Sequence, residues 1–228
     1  MGSLADLDPP IALGALDGRY RGVVAPLVDH LSEPALNRAR VKVEVEWLIH
    51  LTDRQVVPGV RRLTGDEKAR LRAMVDEFGA EEIEEMARTE RVTQHDVKAV
   101  EYFLKERLST IAPADEDRGL AELIHFCCTS EDINNLSYAL MCQEARSKVL
   151  LPRIDALLGA LRSMAHVHAD DAMMSRTHGQ AATPTTLGKE VAVFVRRLRR
   201  LHPRGSGTRQ GDAQSQRAEL PHRVLPSD

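Results

Sequence analysis

Residues 129–169 read TSEDINNLSYALMCQEARSKVLLPRIDALLGALRSMAHVHA, and this stretch decides the fold class. Thr129 followed three residues later by Asp132 resembles a capping box, so we expect a helix to begin here. Pro152 lacks a backbone N–H and should kink this long helix or divide it in two. Apolar residues recur at helical spacing, at Leu136, Leu140, Leu150, Ile154, Leu157, Leu161 and Met164.

Earlier segments also carry helical patterns, although residues 1 to about 34 look irregular. Thr64 and Glu67 have capping-box spacing, and Gly79 should end the helix that they begin. The valines of 41–45 alternate like a strand, but the length and the flanking charges of the segment favour a helix. The next predicted helix, 92–108, has its apolar stripe at Val97, Val100, Leu104 and Leu108.

Beyond residue 169 a polar loop surrounds His178, and Pro184 suits the first turn of a further helix. We find no convincing strand pattern, so the predicted class is all-α. It comprises an N-terminal helical domain (1–112), the first part of a long-helix bundle (113–201) and a tail (202–228). The tail is rich in Arg, Gly, Gln, Ser and Pro, and we expect it to be disordered or frameshifted.

Composition excludes several classes of protein. The net charge is −3, and no apolar run is long enough to span a bilayer. Secretion signals require a basic segment followed by an apolar one, and the start of the chain has neither. The three cysteines include no C-x-x-C pair, so we expect free thiols and no metal site. Together with the missing secretion signal, this predicts a cytoplasmic protein.

His178 is the best candidate for a general acid. Imidazole titrates near neutrality and can donate a proton to a leaving nitrogen. A loop position favours function over packing. A histidine that is simply exposed to solvent is the alternative.

Two other polar clusters stand at predicted helix starts. Gln94, His95 and Asp96 form one, which capping by Asp96 alone would also explain. Thr129 and Ser130 form the other, where free backbone N–H groups suit a carboxylate or phosphate, and where a simple cap is again the alternative.

Arg19 and Tyr20 combine a guanidinium and a phenol, a pair able to bind a phosphate or carboxylate. His125, beside Cys127, is expected to be a satisfied core histidine. By itself, the dipeptide Arg19-Tyr20 is too short to indicate a binding site without the other clusters.

Five motifs in order are far more specific than any single cluster. They are DGRY (17–20), VTQHDVKAVEYFLK (92–105), HFCCTSEDINNL (125–136), SRTHGQ (175–180) and GKE (188–190). From about residue 11 to about residue 200 the chain resembles the bacterial adenylosuccinate lyase family, of the fumarase/aspartase superfamily.

The resemblance implies a β-elimination that needs no cofactor. Adenylosuccinate would give AMP and fumarate, and the succinylated aminoimidazole carboxamide ribotide would lose fumarate in the same way. A base removes the proton beside a carboxylate, and an acid protonates the departing nitrogen. The family works as a homotetramer whose sites are each built from three subunits, which makes further copies the implied partners.

The same resemblance implies roles for the clusters. His178 matches the general acid, and Thr129 and Ser130 match ligands of the succinyl carboxylate. Arg19 and Tyr20 match phosphate contacts, whereas His95 and Asp96 match substrate-positioning residues. Gln94 stands where the family usually has Asn, so its longer side chain puts that contact in doubt.

The family's serine loop, S-S-x-M-P-x-K-x-N-P, does not occur in these 228 residues. We therefore expect a chain that is truncated and inactive alone. A non-catalytic helical protein that binds partners through an exposed bundle face is the alternative. Nucleic-acid binding by the Arg-rich tail is disfavoured, since the tail lacks aromatic residues.

Overall fold

The computed structural model describes residues 14–113 and 118–201. Helices dominate these residues, which confirms the predicted all-α class. None of the helices in the described ranges is long and apolar enough to cross a membrane. The elements are α1 Arg21–Leu31, α2 Glu33–Arg54, α3 Gly65–Asp76, α4 Ala80–Thr93, α5 Asp96–Ile111, α6 Arg118–Ala121, α7 Ser130–Ala145, α8 Leu151–Val167, β1 Ala172–Thr177, β2 Gln180–Thr186 and α9 Leu187–Leu201.

Two compact units divide the chain, residues 1–149 and 150–228. The first contains α1 to α7, and the second contains α8, the two strands and α9. The predicted domains 1–112 and 113–201 stay a prediction, and the predicted tail, 202–228, lies outside the described residues.

The core of the first unit lies between α2, α3 and α5. The valine-rich segment 41–45 is helical, and Val41 and Val45 are buried there, which settles the helix-or-strand question. Phe78 and Phe103 meet edge to face, with ring centroids 6.3 Å apart. Each buried side chain of this size contributes roughly 1.5–3 kcal/mol. The predicted stripe of α5 is buried as a whole, at Val97, Val100, Leu104 and Leu108.

Two helices were missed by the sequence prediction. Residues 21–31, expected to be irregular, form α1, and residues 80–93 form α4. Helix α4 fully buries Met86 alone, and Ile83 packs partly buried against the core, so its apolar stripe is short. Gly79 does not end a helix but precedes α4, with its N–H bonded to the Glu82 carboxylate at 2.9 Å.

The expectation of no strands was wrong. Strands β1 and β2 form an antiparallel hairpin in which Pro184 pairs with Met174, so Pro184 is not in the first turn of a helix. Proline is tolerated here because both strands of a two-stranded sheet are edges. Helix α9 begins three residues later, at Leu187.

The prediction that Pro152 divides the long helix is confirmed. Helix α7 ends at Ala145, a π-helical turn covers Arg146–Leu150, and α8 begins at Leu151. Since Pro152 has no N–H to donate one turn back, the regular ladder of hydrogen bonds is interrupted there.

Candidate functional site

The boundary between α4 and α5 presents Gln94 and His95. Gln94 ends α4 in a left-handed conformation (φ 53°), and its amide donates to the Arg91 carbonyl at 2.7 Å. His95 caps α5, because its Nδ1 accepts from the Lys98 N–H at 3.2 Å. The cap is therefore His95, not Asp96 as the structural alternative supposed.

The capping bond defines the chemistry of the His95 ring. A nitrogen that accepts from a backbone N–H carries no proton, so in neutral imidazole the proton lies on Nε2. His95 is exposed. It can therefore offer Nε2–H as a donor to a ligand.

Beneath these residues lies Arg40, which sequence reasoning missed. The residue is only 4% exposed, and its guanidinium bonds to three side chains. Nη2 donates to Asp96 at 2.5 Å, Nε to Asn134 at 2.9 Å and Nη1 to Asn37 at 3.0 Å. Arg40 thus connects the start of α5 with the first turns of α7.

Asp96 stays ionised in this setting. Burial acts to raise the pKa of its carboxyl, but the Val97 N–H and Arg40 together lower that pKa below its ordinary value. The carboxylate is therefore a fixed negative charge at neutral pH, next to the His95 ring.

A polar cleft of about 480 Å³ opens over this cluster. It offers carboxylates, two amides, an imidazole and a phenol, which suits a ligand with several hydrogen-bonding groups. Its lining residues are Glu33, Leu36, Asn37, Arg40, Glu90, Gln94, His95, Asp96 and Tyr138.

Thr129 is the N-cap residue of α7, as the sequence predicted. The Asp132 carboxylate accepts from the Thr129 N–H at 2.8 Å and from its hydroxyl at 3.1 Å. These hydrogen bonds lower the pKa of Asp132. Ser130 begins the helix itself, half-buried.

The loop before Thr129 is held from α2. Glu44 is buried and accepts from the His125 N–H at 3.0 Å, and it lies 2.5 Å from the His125 ring nitrogen Nδ1. Burial raises the pKa of Glu44, against the opposing effect of His125. Trp47 donates its indole N–H to the Phe126 carbonyl at 3.0 Å. His125 is thus hydrogen-bonded as predicted, but it is half-buried and does not lie in the core.

Arg19 and Tyr20 precede α1 and are exposed. The Arg19 guanidinium carbon lies 5.6 Å from the centre of the Tyr20 ring, within cation–π range. The two predicted anion contacts are therefore brought together on the surface of the first unit.

His178 belongs to the second unit and lies in a tight turn, not in a loop before a helix. His178 and Gly179 connect β1 to β2, and both have positive φ, 51° and 78°. Positive φ at both central residues is the mark of a type I′ hairpin turn. The imidazole is exposed at the tip of this hairpin.

Within residues 14–113 and 118–201, no cluster of three or more His, Cys, Asp or Glu side chains could hold a metal ion. The structure brings Gln94, His95 and Asp96 into one cleft. It links that cleft, through Arg40 and Asn134, to the helix that Thr129 caps.

A family model described as lyase matches residues 18–216. The adenylosuccinate lyase of Legionella pneumophila (strain Corby) is 42% identical over 189 residues, which are 83% of this chain and 41% of that protein. The adenylosuccinate lyase of Escherichia coli (strain K12) is 43% identical over 195 residues, 86% of this chain and 42% of that protein. The chain thus spans about two fifths of the length of these relatives.

Solved structures share the fold at low sequence identity. A fumarate lyase from Mesorhizobium sp. BNC1 aligns with a TM-score of 0.59 and 20% identity, covering 77% of this chain and 37% of that one. The β-carboxy-cis,cis-muconate cycloisomerase of Acinetobacter calcoaceticus sp. ADP1 aligns with a TM-score of 0.58 and 20% identity, over 77% and 38%.

Proposed function

Because this chain belongs to the lyase family, we propose that its described residues form part of an active site that cleaves adenylosuccinate into AMP and fumarate. The same site would release fumarate from the succinylated aminoimidazole carboxamide ribotide. The polar cleft over Gln94, His95 and Asp96 carries the proposal, since it stands where the matched motif expects substrate contacts.

In the proposed reaction, a base removes the proton from the carbon beside a carboxylate. The C–N bond then breaks, the nitrogen leaves with the electron pair, and the double bond of fumarate forms. His178 donates a proton to that nitrogen, and no cofactor takes part. Hydrogen bonds to the carboxylate stabilise the charge that develops.

The remaining predicted residues bind substrate in this proposal. At the start of α7, the exposed Thr129 offers its hydroxyl, and the half-buried Ser130 offers its hydroxyl and backbone N–H, to the succinyl carboxylate. Arg19 and Tyr20 meet the phosphate, and His95 donates through Nε2–H. The positive end of α7 and the Arg19 guanidinium suit a polyanionic substrate.

We further propose a homotetramer in the cytoplasm, in which each site combines residues of different subunits. Exposed thiols at Cys127 and Cys142 fit a reducing compartment. The serine-loop motif of the family is absent from these 228 residues. We therefore expect turnover only when another segment or chain supplies the base.

A chimera tests the proposal. Residues 18–201 would replace the matching part of the E. coli relative, and fumarate release from adenylosuccinate would be followed. We expect turnover by the chimera and none by the 228-residue chain alone. A chimera that assembles like its parent but releases no fumarate would refute the proposed function.

A non-catalytic binding protein is the second candidate. Apolar side chains of α9 are exposed in the second unit, Phe194 at 57%. Such surfaces occur at protein interfaces. An active chimera would exclude this reading, because residues that serve binding alone could not complete the site.

A further inference from the structure

We propose that Arg40 is a positioning residue that selects the tautomer of His95, and thereby the hydrogen bond that His95 offers to substrate. The inference deepens the proposed function and rests on it for the identity of the substrate. It concerns a residue that none of the motifs singled out.

Arg40 is buried, and each of its three guanidinium nitrogens already donates to a side chain of this protein. Nε, Nη1 and Nη2 each bond to a different side chain, and only 4% of the residue is exposed. A planar guanidinium can reach three partners at once, whereas an ammonium cannot span them. Arg40 therefore acts through Asp96, Asn37 and Asn134.

Two side chains flank the Asp96 carboxylate, which the Val97 N–H also stabilises. Oδ2 is bound to Arg40 at 2.5 Å, and Oδ1 lies 3.7 Å from His95 Nδ1, beyond hydrogen-bond distance. Nδ1 instead accepts from the Lys98 N–H. With the carboxylate held by Arg40, His95 keeps its proton on Nε2.

Loss of Arg40 would leave the carboxylate without its cation. Asp96 could then turn and accept a hydrogen bond from a protonated Nδ1 of His95. A charged carboxylate is a stronger acceptor for this proton than a neutral group. Nε2 would change from a donor to an acceptor. The cleft would then present the wrong group to a substrate that needs a donor.

Nitrogen NMR of the His95 ring tests the inference on the 228-residue chain, at about pH 8, where an ordinary imidazole is neutral. In the wild type we expect the proton on Nε2. Arg40→Gln should move it to Nδ1. Arg38→Gln is the matched control, because Arg38 lies on the same helix, is 7% exposed and bonds to the Asp29 carbonyl.

A folded Arg40→Gln protein that keeps the Nε2–H tautomer would overturn the inference, as would an equal change in Arg38→Gln. If Arg40→Gln does not fold, Arg40→Lys decides, since it keeps the charge but cannot hold three partners. A partial shift towards Nδ1–H supports the inference, and no shift overturns it.

Kinetics of the active chimera separate this inference from the proposed function. Arg40→Lys should raise KM for adenylosuccinate about tenfold, the size of one charged hydrogen bond, with little change in kcat. Arg38→Lys should leave both constants unchanged. An inactive wild-type chimera refutes the proposed function even if the NMR shift appears, whereas an unshifted tautomer refutes the role of Arg40 alone.

Discussion

At the residue scale, His178 combines two demands that a substitution can separate. The turn requires a residue that accepts φ of 51°, and the proposed chemistry requires a titrating ring. Asparagine accepts left-handed φ but cannot donate a proton as imidazolium does. In the chimera, we expect His178→Asn to lower kcat on the order of 10²- to 10⁴-fold.

The same substitution should leave the free energy of unfolding within about 0.5 kcal/mol of the wild type. His178→Ala is the comparison, since alanine strains the turn by about 1 kcal/mol and also removes the acid. Denaturant unfolding and fumarate release measure the two effects. Normal turnover by His178→Asn would contradict the role of general acid.

The carboxylate of Glu67 should contribute to the free energy of unfolding in a pH-dependent way. Its carboxylate binds Arg61 at 2.7 and 2.8 Å and accepts from the Thr64 N–H at 2.7 Å. The hydrogen bond to Arg61 has the largest effect, and together these bonds lower the pKa of Glu67 from 4.5 to about 2. Because the folded pKa lies below the unfolded one, this stabilisation is complete above pH 4.5 and is lost as the pH falls towards 2.

Glu67→Gln should therefore cost about 1 kcal/mol at neutral pH, the usual size of a cap with a partly exposed ion pair. Wild type and variant should converge in stability as the pH falls through that window. Asp66→Asn, in the same first turn, removes a charge but neither the cap nor the Arg61 pair. Urea unfolding at a series of pH values would show a constant difference if the assignment is wrong.

The difference between Glu67 and Arg40 explains what the sequence could predict. The capping box joins Thr64 and Glu67, three positions apart, so spacing alone indicates it, and the structure confirms it. Arg40 meets partners 56 and 94 positions away, Asp96 and Asn134. Local patterns carry no trace of such contacts. Thus the candidate clusters could be found by motif, but not the residue that connects them.

At the element scale, close packing of α8 and α9 depends on one glycine. A Cβ on Gly188 would lie 2.3 Å from the Ala165 carbonyl oxygen and 2.7 Å from that of His168. The Gly188 N–H also donates to the His168 carbonyl at 2.8 Å. We expect Gly188→Ala to destabilise this packing by about 1–3 kcal/mol.

Gly159 gives the matched control. It lies inside α8, and a Cβ there would meet nothing within 4 Å. Gly159→Ala should stabilise the helix by roughly 0.5–1 kcal/mol, because alanine loses less conformational freedom. Hydrogen exchange of the α8 and α9 amides would detect the opposite effects. Equal protection in both variants would show that the packing of α9 does not depend on the close contact between Gly188 and α8.

The elements that were wrongly predicted share a physical cause. Helix α4 fully buries only Met86 and partly buries Ile83, so its apolar stripe is short. The strands of the hairpin are mostly exposed and show no regular alternation of buried and exposed residues. The turn at His178-Gly179 also lacks the usual Asn-Gly signal. By contrast, α5 buries a full stripe and was predicted from it.

At the scale of the whole molecule, the two units differ in how much apolar surface they bury. The first unit holds a continuous core that runs from Val41 to Ile124. Among the described residues of the second unit, only Leu158 and Val195 are buried hydrophobic residues. Several of its large apolar side chains are exposed, including Met174 and Phe194. Burial on that scale cannot offset the entropy of ordering some fifty residues.

We therefore expect residues 1–149, expressed alone, to unfold cooperatively and to protect the amides of α2 and α5 from exchange. Residues 150–201 alone should show little helix and no cooperative transition, since they need apolar surface from elsewhere. Circular dichroism melts and hydrogen exchange of the two pieces measure this. A cooperative melt of residues 150–201 at low concentration, where they are monomeric, would mean that two buried side chains suffice. The exposed apolar side chains of α9 would then need no partner for stability.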